Sequence, residues 1–502
     1  MCRSRNRHPD SVSPRPRFDT RHDRSSCERS PTLRNHRTCP PLTRRRAVER
    51  VRPPREGDPV PSVPLLPETV SRVDELVCRA HAGGRVPLLV AGVVRDGELA
   101  HVAAAGDYVP DQQFRIGSIT KTMTAALVLA LRDEGKLALD DLLYRHLPGT
   151  PVGAVTLRQL LGHAGGVQRE PDGEWWERSS GVDVDTFLAT LTADKVAYPP
   201  LHGFHYSNLA YGLLGAVVSR LGGEDWRSML TKRILGPLQL LRTTYDATEP
   251  FARGYVVHPW LDTMREEPRL DAGAMAPAGQ LWSTVADMAR WAAFLADPDP
   301  AVLAEETVAE MCAPVVISDL DGWRAGHGLG LQLWRHGERV FVGHSGSMPG
   351  YLAVLAVHRP SRTGLVAFAN AYTMHYGDEG GGLSEFGRDL LDAVLDREPV
   401  RVAPWRPGTP PPAEIEPLTG RWWWMGQEHE VGWADGELLV TPLTTGRTPW
   451  RFVPDGPAQD RWRGRSGDND GEVLRVVRSA SGEVVALDIA TFVLTRDPWP
   501  AV

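Results

Sequence analysis

Phe114-Arg115-Ile116-Gly117-Ser118-Ile119-Thr120-Lys121 runs straight into the apolar stretch Met123 to Leu131, and the rest of the fold is read outward from this junction. The pattern predicts a helix over 119–134, too short to be a membrane span, which needs about 20 apolar residues. Gly117 permits a sharp entry. Ser118 falls at the helix start, where N–H groups without intrahelical acceptors and the helix dipole favour a developing negative charge. Lys121 lies three residues on, on the same face, within reach of the Ser118 hydroxyl. A desolvated, neutral lysine can take that hydroxyl's proton. The chain holds only four lysines, at 121, 136, 195 and 232, against 52 arginines, so lysine here is an uncommon choice. A Ser-x-x-Lys spacing alone is a weak signal, and its surroundings carry the weight.

Upstream, Val70, Val73, Val77 and Ala80 recur at helical spacing until Gly83-Gly84. Leu88 to Val94 and Leu99 to Ala105 read as a hairpin about Asp96-Gly97. Downstream, helical patterns at 156–162, 184–193, 209–221 and 284–296 make the middle of the chain mostly α. From Gly328 the pattern turns to strands at 328–334, 339–344, 351–358 and 364–370, an antiparallel meander that the first hairpin would complete. A last helix, Leu383 to Leu395, presents Phe386, Leu390, Leu391 and Val394 to cover that sheet. The expected fold is α+β: an antiparallel sheet flanked by helices with an all-α insert, over residues 67–397. A proline-rich linker, 398–416, precedes a small C-terminal all-β domain at 417–502, marked by Trp422, Trp423, Trp424, Trp433 and Trp450 among short alternating runs.

Two further groups carry chemistry. Tyr206-Ser207-Asn208 precedes an apolar helix; a tyrosine near a lysine can have its pKa lowered and relay protons, and an Asn amide can donate to and accept from a substrate amide. The bland alternative is a helix cap beside a core tyrosine. His344-Ser345-Gly346-Ser347 is expected at the end of the strand 339–344, where a strand edge with glycine lets a substrate backbone pair and the next N–H completes an oxyanion hole. His-x-Gly also occurs at 81–83 and 163–165, so the triplet has meaning only through its strand.

Taken together, residues 68 to 397 resemble the class C β-lactamase and penicillin-binding-protein family, including its esterase and D-aminopeptidase members. Ser118-x-x-Lys121, Tyr206-Ser207-Asn208 and His344-Ser345-Gly346 look like its three motifs in order. Thr156 to Val167, Ile234-Leu235-Gly236-Pro237-Leu238, Arg253-Gly254-Tyr255 and Pro277-Ala278-Gly279 agree as well. The resemblance implies an acyl-enzyme mechanism. Ser118 attacks a carbonyl, Lys121 and Tyr206 handle protons, and Asn208, His344, Ser345, Gly346 and Ser347 hold substrate, with the N–H groups of Ser118 and Ser347 as oxyanion hole. It implies no cofactor and no metal, and a small ester, amide or peptide as substrate. β-Lactamases of this family usually carry a lysine where His344 stands, which favours the esterase and peptidase members. The C-terminal unit looks like the small β-barrel appended to some members.

Composition bounds the rest. Of 502 residues, 42% are hydrophobic and 24% charged, ordinary values for a soluble globular protein. Residues 1–60 hold 16 arginines against 7 acidic residues in a chain of net charge −7. That tail, rich in Arg, Pro and Ser, reads as disordered, and without interleaved aromatics no nucleic-acid partner is expected. Five cysteines without framework spacing and no apolar leader predict a cytoplasmic protein. His202-x-x-His205 lacks a metal-binding arrangement, and Gly343-His344-Ser345-Gly346-Ser347 misses the Gly-x-Ser-x-Gly elbow. The insert 171–180, with Trp175 and Trp176, is expected to line the entrance and favour apolar or aromatic groups. A rival from another class is a non-catalytic sensor on the same fold.

Overall fold

Leu89, Ala91 and Val93 face one side of their strand and Val90 and Val94 the other, yet all five are buried, so both faces of the sheet are covered. The computed structural model describes residues 64–377, 381–400, 409–444, 448–456 and 460–499, with the backbone of Glu49–Arg50. The sheet is antiparallel throughout, in the order Glu49–Arg50, Glu98–Ala105, Leu89–Arg95, Thr363–Ala369, Tyr351–His358, Arg339–Met348, Gln332–His336, Ala325–His327, Val316–Ile317. On one face, helices Pro67–Gly84 and Leu383–Leu395 bury Val73, Val77, Phe386, Leu390 and Val394 against it. On the other, helix Val285–Ala296 packs with the helical region. Gly92 makes that contact possible, since a Cβ there would stand 2.4 Å from Val285 Cγ1. The expected α+β architecture is the one observed.

At the centre of the helical region lies Thr120–Asp133, preceded by the 3-10 turn Gly117–Ile119. It is covered on every side, which explains its nearly unbroken apolar sequence. Its threonines have partners: Thr122 Oγ1 accepts from Trp291 Nε1 at 2.9 Å, and Thr124 Oγ1 donates to the Pro277 carbonyl at 2.9 Å.

Three sequence boundaries shift. The strand expected at 328–334 begins only at Gln332, because Gly330 turns the chain at φ +80°. The strand expected to end at 344 continues to Met348, so His344 to Ser347 lie inside it. Glu49–Arg50, within the stretch expected to be disordered, pairs with Leu99 and Glu98; backbone pairing on an open edge needs no apolar periodicity. The remainder of residues 1–63 lies outside the described residues, as does the linker core 401–408.

The chain divides into two compact units at Val400/Arg401. The second is a closed barrel of eight antiparallel strands from Gly420–Trp424 to Phe492–Thr495, closed by Trp423 beside Thr495. Trp422, Leu438, Phe452, Trp462, Leu474 and Leu487 fill it.

Candidate active site

Gly117, at φ +52°, sets the turn that presents Ser118, and a Cβ at that position would stand 2.5 Å from the Ser347 nitrogen. Gly346 answers it from the facing strand: a Cβ there would stand 1.9 Å from the Ile116 carbonyl oxygen. Two glycines therefore let the edge of Arg339–Met348 lie against the nucleophile turn. That edge is open past Gly343, the last residue paired with Gln332–His336. The N–H of Ser345 points to the open side, where it donates to Gln332 Oε1 at 2.8 Å. By the two-residue period of a strand, the N–H of Ser347 points the same way, beside the first-turn N–H of Ser118. Two backbone N–H groups on facing segments are what an oxyanion hole requires.

Lys121 is fully buried, and its Nζ lies 3.0 Å from Ser118 Oγ and 2.7 Å from the Ala278 carbonyl. Burial brings its pKa down to about 7; the nearby carboxylates of Glu170 and Glu177 oppose this only in part. Near neutrality a large share of Lys121 is thus a free amine, able to accept the Ser118 proton.

Tyr206 also hydrogen-bonds the Ser118 side chain, and its ring lies 5.1 Å from Lys121 Nζ. Its pKa moves opposite to the sequence expectation. Burial pushes the phenol well above its usual value, and the bond to Ser118 only partly offsets this. Tyr206 is therefore a neutral phenol that can pass a proton, and Lys121 is the better base.

Three imidazoles surround the Tyr206 ring. His163 stacks on it at 4.3 Å between centroids, His327 meets it edge-on at 6.2 Å, and His344 stands at 6.3 Å. Burial holds all three below the usual histidine range, His327 at about 4. The His163 Nδ1 accepts from the Ser207 N–H at 3.0 Å, so its proton sits on Nε2. His344 Nδ1 donates to the Ser345 carbonyl at 2.5 Å, leaving Nε2 bare. Neither Nε2 has a partner among the described residues. His344, expected to touch substrate, is only 1% exposed and packs among these rings behind Tyr206. Ser345 Oγ likewise turns to Gln332 Oε1, at 3.0 Å, and the strand backbone is what faces the nucleophile.

Asn208 begins helix Asn208–Gly222 behind a Ser207 cap. Its Nδ2 donates to both oxygens of Glu170, at 2.8 and 3.0 Å, and its buried Oδ1 has no partner among the described residues. Glu170 Oε2 also accepts from Trp176 Nε1 at 2.8 Å. Trp176 is buried at the wall, 3.2 Å from where a Gly279 Cβ would stand, while Trp175 is exposed. Sequence reading missed Glu170, Glu177, His163, His327 and Gln332. Only His163 carries a signal, a His-x-Gly triplet that lacks the strand context of His344. His202 and His205 pack on the Tyr198 ring at 5.4 and 5.1 Å.

A serine on a helix-entry turn, a buried lysine, a tyrosine and a facing strand edge are the arrangement expected of a penicillin-recognising type of serine hydrolase. The model of the Beta-lactamase family matches residues 73–381, and the chain belongs to that family. A domain of unknown function, DUF7586, matches residues 411–496. Penicillin-binding protein 4 of Amycolatopsis lactamdurans is 28% identical over 371 residues, covering 67% of this chain and 92% of that protein. Beta-lactamase-like protein 2 of Dictyostelium discoideum is 25% identical and covers 60% of this chain, which spans 59% of that protein's length. Among solved structures, the D-stereospecific amidohydrolase from Streptomyces sp. aligns with a TM-score of 0.54 at 25% identity, covering 60% of this chain and 94% of its own. Among the described residues no helix is long and apolar enough to cross a membrane.

Proposed function

We propose that this chain hydrolyses small esters or amides through an acyl-enzyme on Ser118. The observation that carries the reading is the fully buried Lys121 amine, 3.0 Å from Ser118 Oγ, with burial bringing its pKa to about 7. Lys121 takes the hydroxyl proton as Oγ attacks the substrate carbonyl. The negative oxygen that forms is met by the N–H groups of Ser118 and Ser347. The proton then passes through Lys121 and Tyr206 to the leaving group, and the carbonyl–leaving-group bond breaks. Water, deprotonated by the same groups, releases the acyl chain and restores Ser118. Asn208 and the strand backbone from Ser345 to Ser347 hold the substrate. His344 is neutral and buried, so it offers no cation to an antibiotic's carboxylate, which supports esters and amides over β-lactams.

A short-chain p-nitrophenyl ester and a chromogenic cephalosporin, each given to the wild type and to Ser118→Ala, test this. Ester turnover lost by about 10³-fold or more in the variant is the expected result. Efficient cephalosporin turnover would overturn the reading of His344. A second reading, cleavage of D-aminoacyl amides, draws support from the likeness to the Streptomyces amidohydrolase. Failure of a fluorophosphonate to label Ser118 would favour the non-catalytic sensor.

A further inference from the structure

One residue outside the three motifs grips the second of them at three consecutive positions. The His163 carbonyl accepts from the His205 N–H at 2.9 Å, its ring stacks on Tyr206 at 4.3 Å between centroids, and its Nδ1 accepts from the Ser207 N–H at 3.0 Å. The backbone on either side of Tyr206 and the ring between are thus tied to a single residue. His327 and His344 stand farther from that ring, at 6.2 and 6.3 Å.

This grip is held against the local preference of the chain. His163 follows Gly162, which caps helix Leu157–Leu161, and takes the left-handed conformation, φ +57°, where glycine is the unstrained choice. It is 2% exposed, and because Nδ1 accepts, the proton lies on Nε2, a buried donor with no partner among the described residues. A turn alone would favour glycine, which carries neither the strain nor the buried donor. What histidine adds is the stack on Tyr206 and the bond to Ser207. Tyr206 in turn stands at the reacting groups: its ring lies 5.1 Å from Lys121 Nζ, itself 3.0 Å from Ser118 Oγ.

We propose that His163 is a positioning residue: it holds the Tyr206 phenol where it protonates the leaving group, so its loss falls hardest on substrates whose leaving group cannot depart as an anion. This rests on the acyl-enzyme reading. In the acylation step the proton taken from Ser118 Oγ passes to the leaving oxygen as its bond to the carbonyl carbon breaks, and an alcohol departs while the acyl group stays on Oγ. A p-nitrophenolate leaves without that proton, and an ethoxide does not.

The full chain is therefore assayed for kcat/KM, which reports acylation, on the p-nitrophenyl and ethyl esters of one short acid. His163→Asn tolerates a left-handed backbone and keeps a side-chain acceptor for Ser207 but removes the stacked ring. It is expected to lower ethyl ester turnover at least about tenfold more than p-nitrophenyl ester turnover. His163→Gly, free of the strain and lacking both side-chain contacts, should shift the ratio at least as far. Tyr206→Phe should shift it the same way, and adding His163→Asn to Tyr206→Phe should shift it no farther. The ratio of two substrates on one preparation does not depend on the fraction folded, so a histidine that serves stability alone leaves it at the wild-type value. An unchanged ratio in both His163 variants, or losses that add in the double variant, would overturn the proposal. So would a wild type that cleaves only the p-nitrophenyl ester, since no working acid then reaches the leaving group. Failure of the acyl-enzyme reading itself would look different: both esters left uncleaved by the wild type, or cleaved equally by Ser118→Ala.

Discussion

The hydrolase unit and the C-terminal barrel treat buried polarity in opposite ways. Around Ser118, the side chains of Arg115, His163, Asn208 and His344 all bury nitrogen or oxygen atoms without a partner, and Lys121 is buried with its charge half removed. Among the described residues of the barrel, no buried side-chain polar atom is left unpartnered. Its deepest tryptophan, Trp422, donates Nε1 to the Leu418 carbonyl at 2.7 Å and has the Arg496 guanidinium 3.8 Å over its ring. Thr69, Arg72 and Arg242 bury such atoms elsewhere in the hydrolase unit, but their concentration about one serine marks where stability has been given up for chemistry.

The sharpest way to break this contrast is Lys121→Met. Turnover of a p-nitrophenyl ester should fall by about 10³-fold or more, since the base is gone. Stability should move the other way. Lys121 loses its proton near pH 7 when folded and near 10.5 when unfolded, so the unfolded chain binds more protons between those values. Wild-type stability therefore rises with pH across that window, by about 1.4 kcal/mol per unit, and below about pH 7 the full cost of burying the charge remains. Lys121→Met should abolish that slope and gain about 1–3 kcal/mol in urea unfolding at pH 6, after the loss of the bonds to Ser118 and Ala278. The wild-type rate should rise through pH 7 as the amine forms, with the three neighbouring histidines adding no limb of their own above pH 6. A variant less stable than wild type at pH 6 would mean that Lys121 is a structural ion and that the contrast with the barrel is false.

The matching change in the barrel is Trp422→Ala, which empties a large site and orphans the Leu418 carbonyl. It should cost about 3–5 kcal/mol, read as an earlier melting transition by circular dichroism. A cost below about 1 kcal/mol would show that the barrel is not held by its tryptophan core.

How much of this could be read from residues alone differs by feature. The strands and helices of the hydrolase unit were legible because burial on both faces writes long apolar runs, as in Leu89–Arg95 and Thr120–Asp133. The barrel was legible as a class, from alternation and tryptophans, though its closure is a matter of register that no local pattern encodes. Ser118 and Lys121 could be paired because helical spacing brings them together. Glu170 could not be placed, since it meets Asn208 across a sequence separation of 38 residues, and a lone charged residue carries no periodicity. The Tyr206 shift was misjudged for a related reason. Neighbouring charge can be guessed from a motif, but burial, which dominates here, is a property of the whole fold.

A smaller perturbation separates the two halves of the site itself. Gly346→Ala adds a single methyl group facing the Ile116 carbonyl, 1.9 Å away, with the Lys121–Ser118 pair untouched. The strand edge must move outward, carrying the Ser347 N–H away from Ser118, while the base and nucleophile keep their positions. If the oxyanion is held as argued, kcat should fall by about a hundredfold, the scale expected for one displaced donor. Fluorophosphonate labelling of Ser118 should slow with it, because that reaction develops the same negative oxygen, whereas the pH at which the rate rises should stay near 7, because Lys121 is still as deeply buried. A displaced pH midpoint would tie the strand edge to the lysine's environment. An unchanged kcat would mean that the oxyanion is stabilised by the nucleophile turn alone, and that the close approach of two glycines serves packing rather than chemistry.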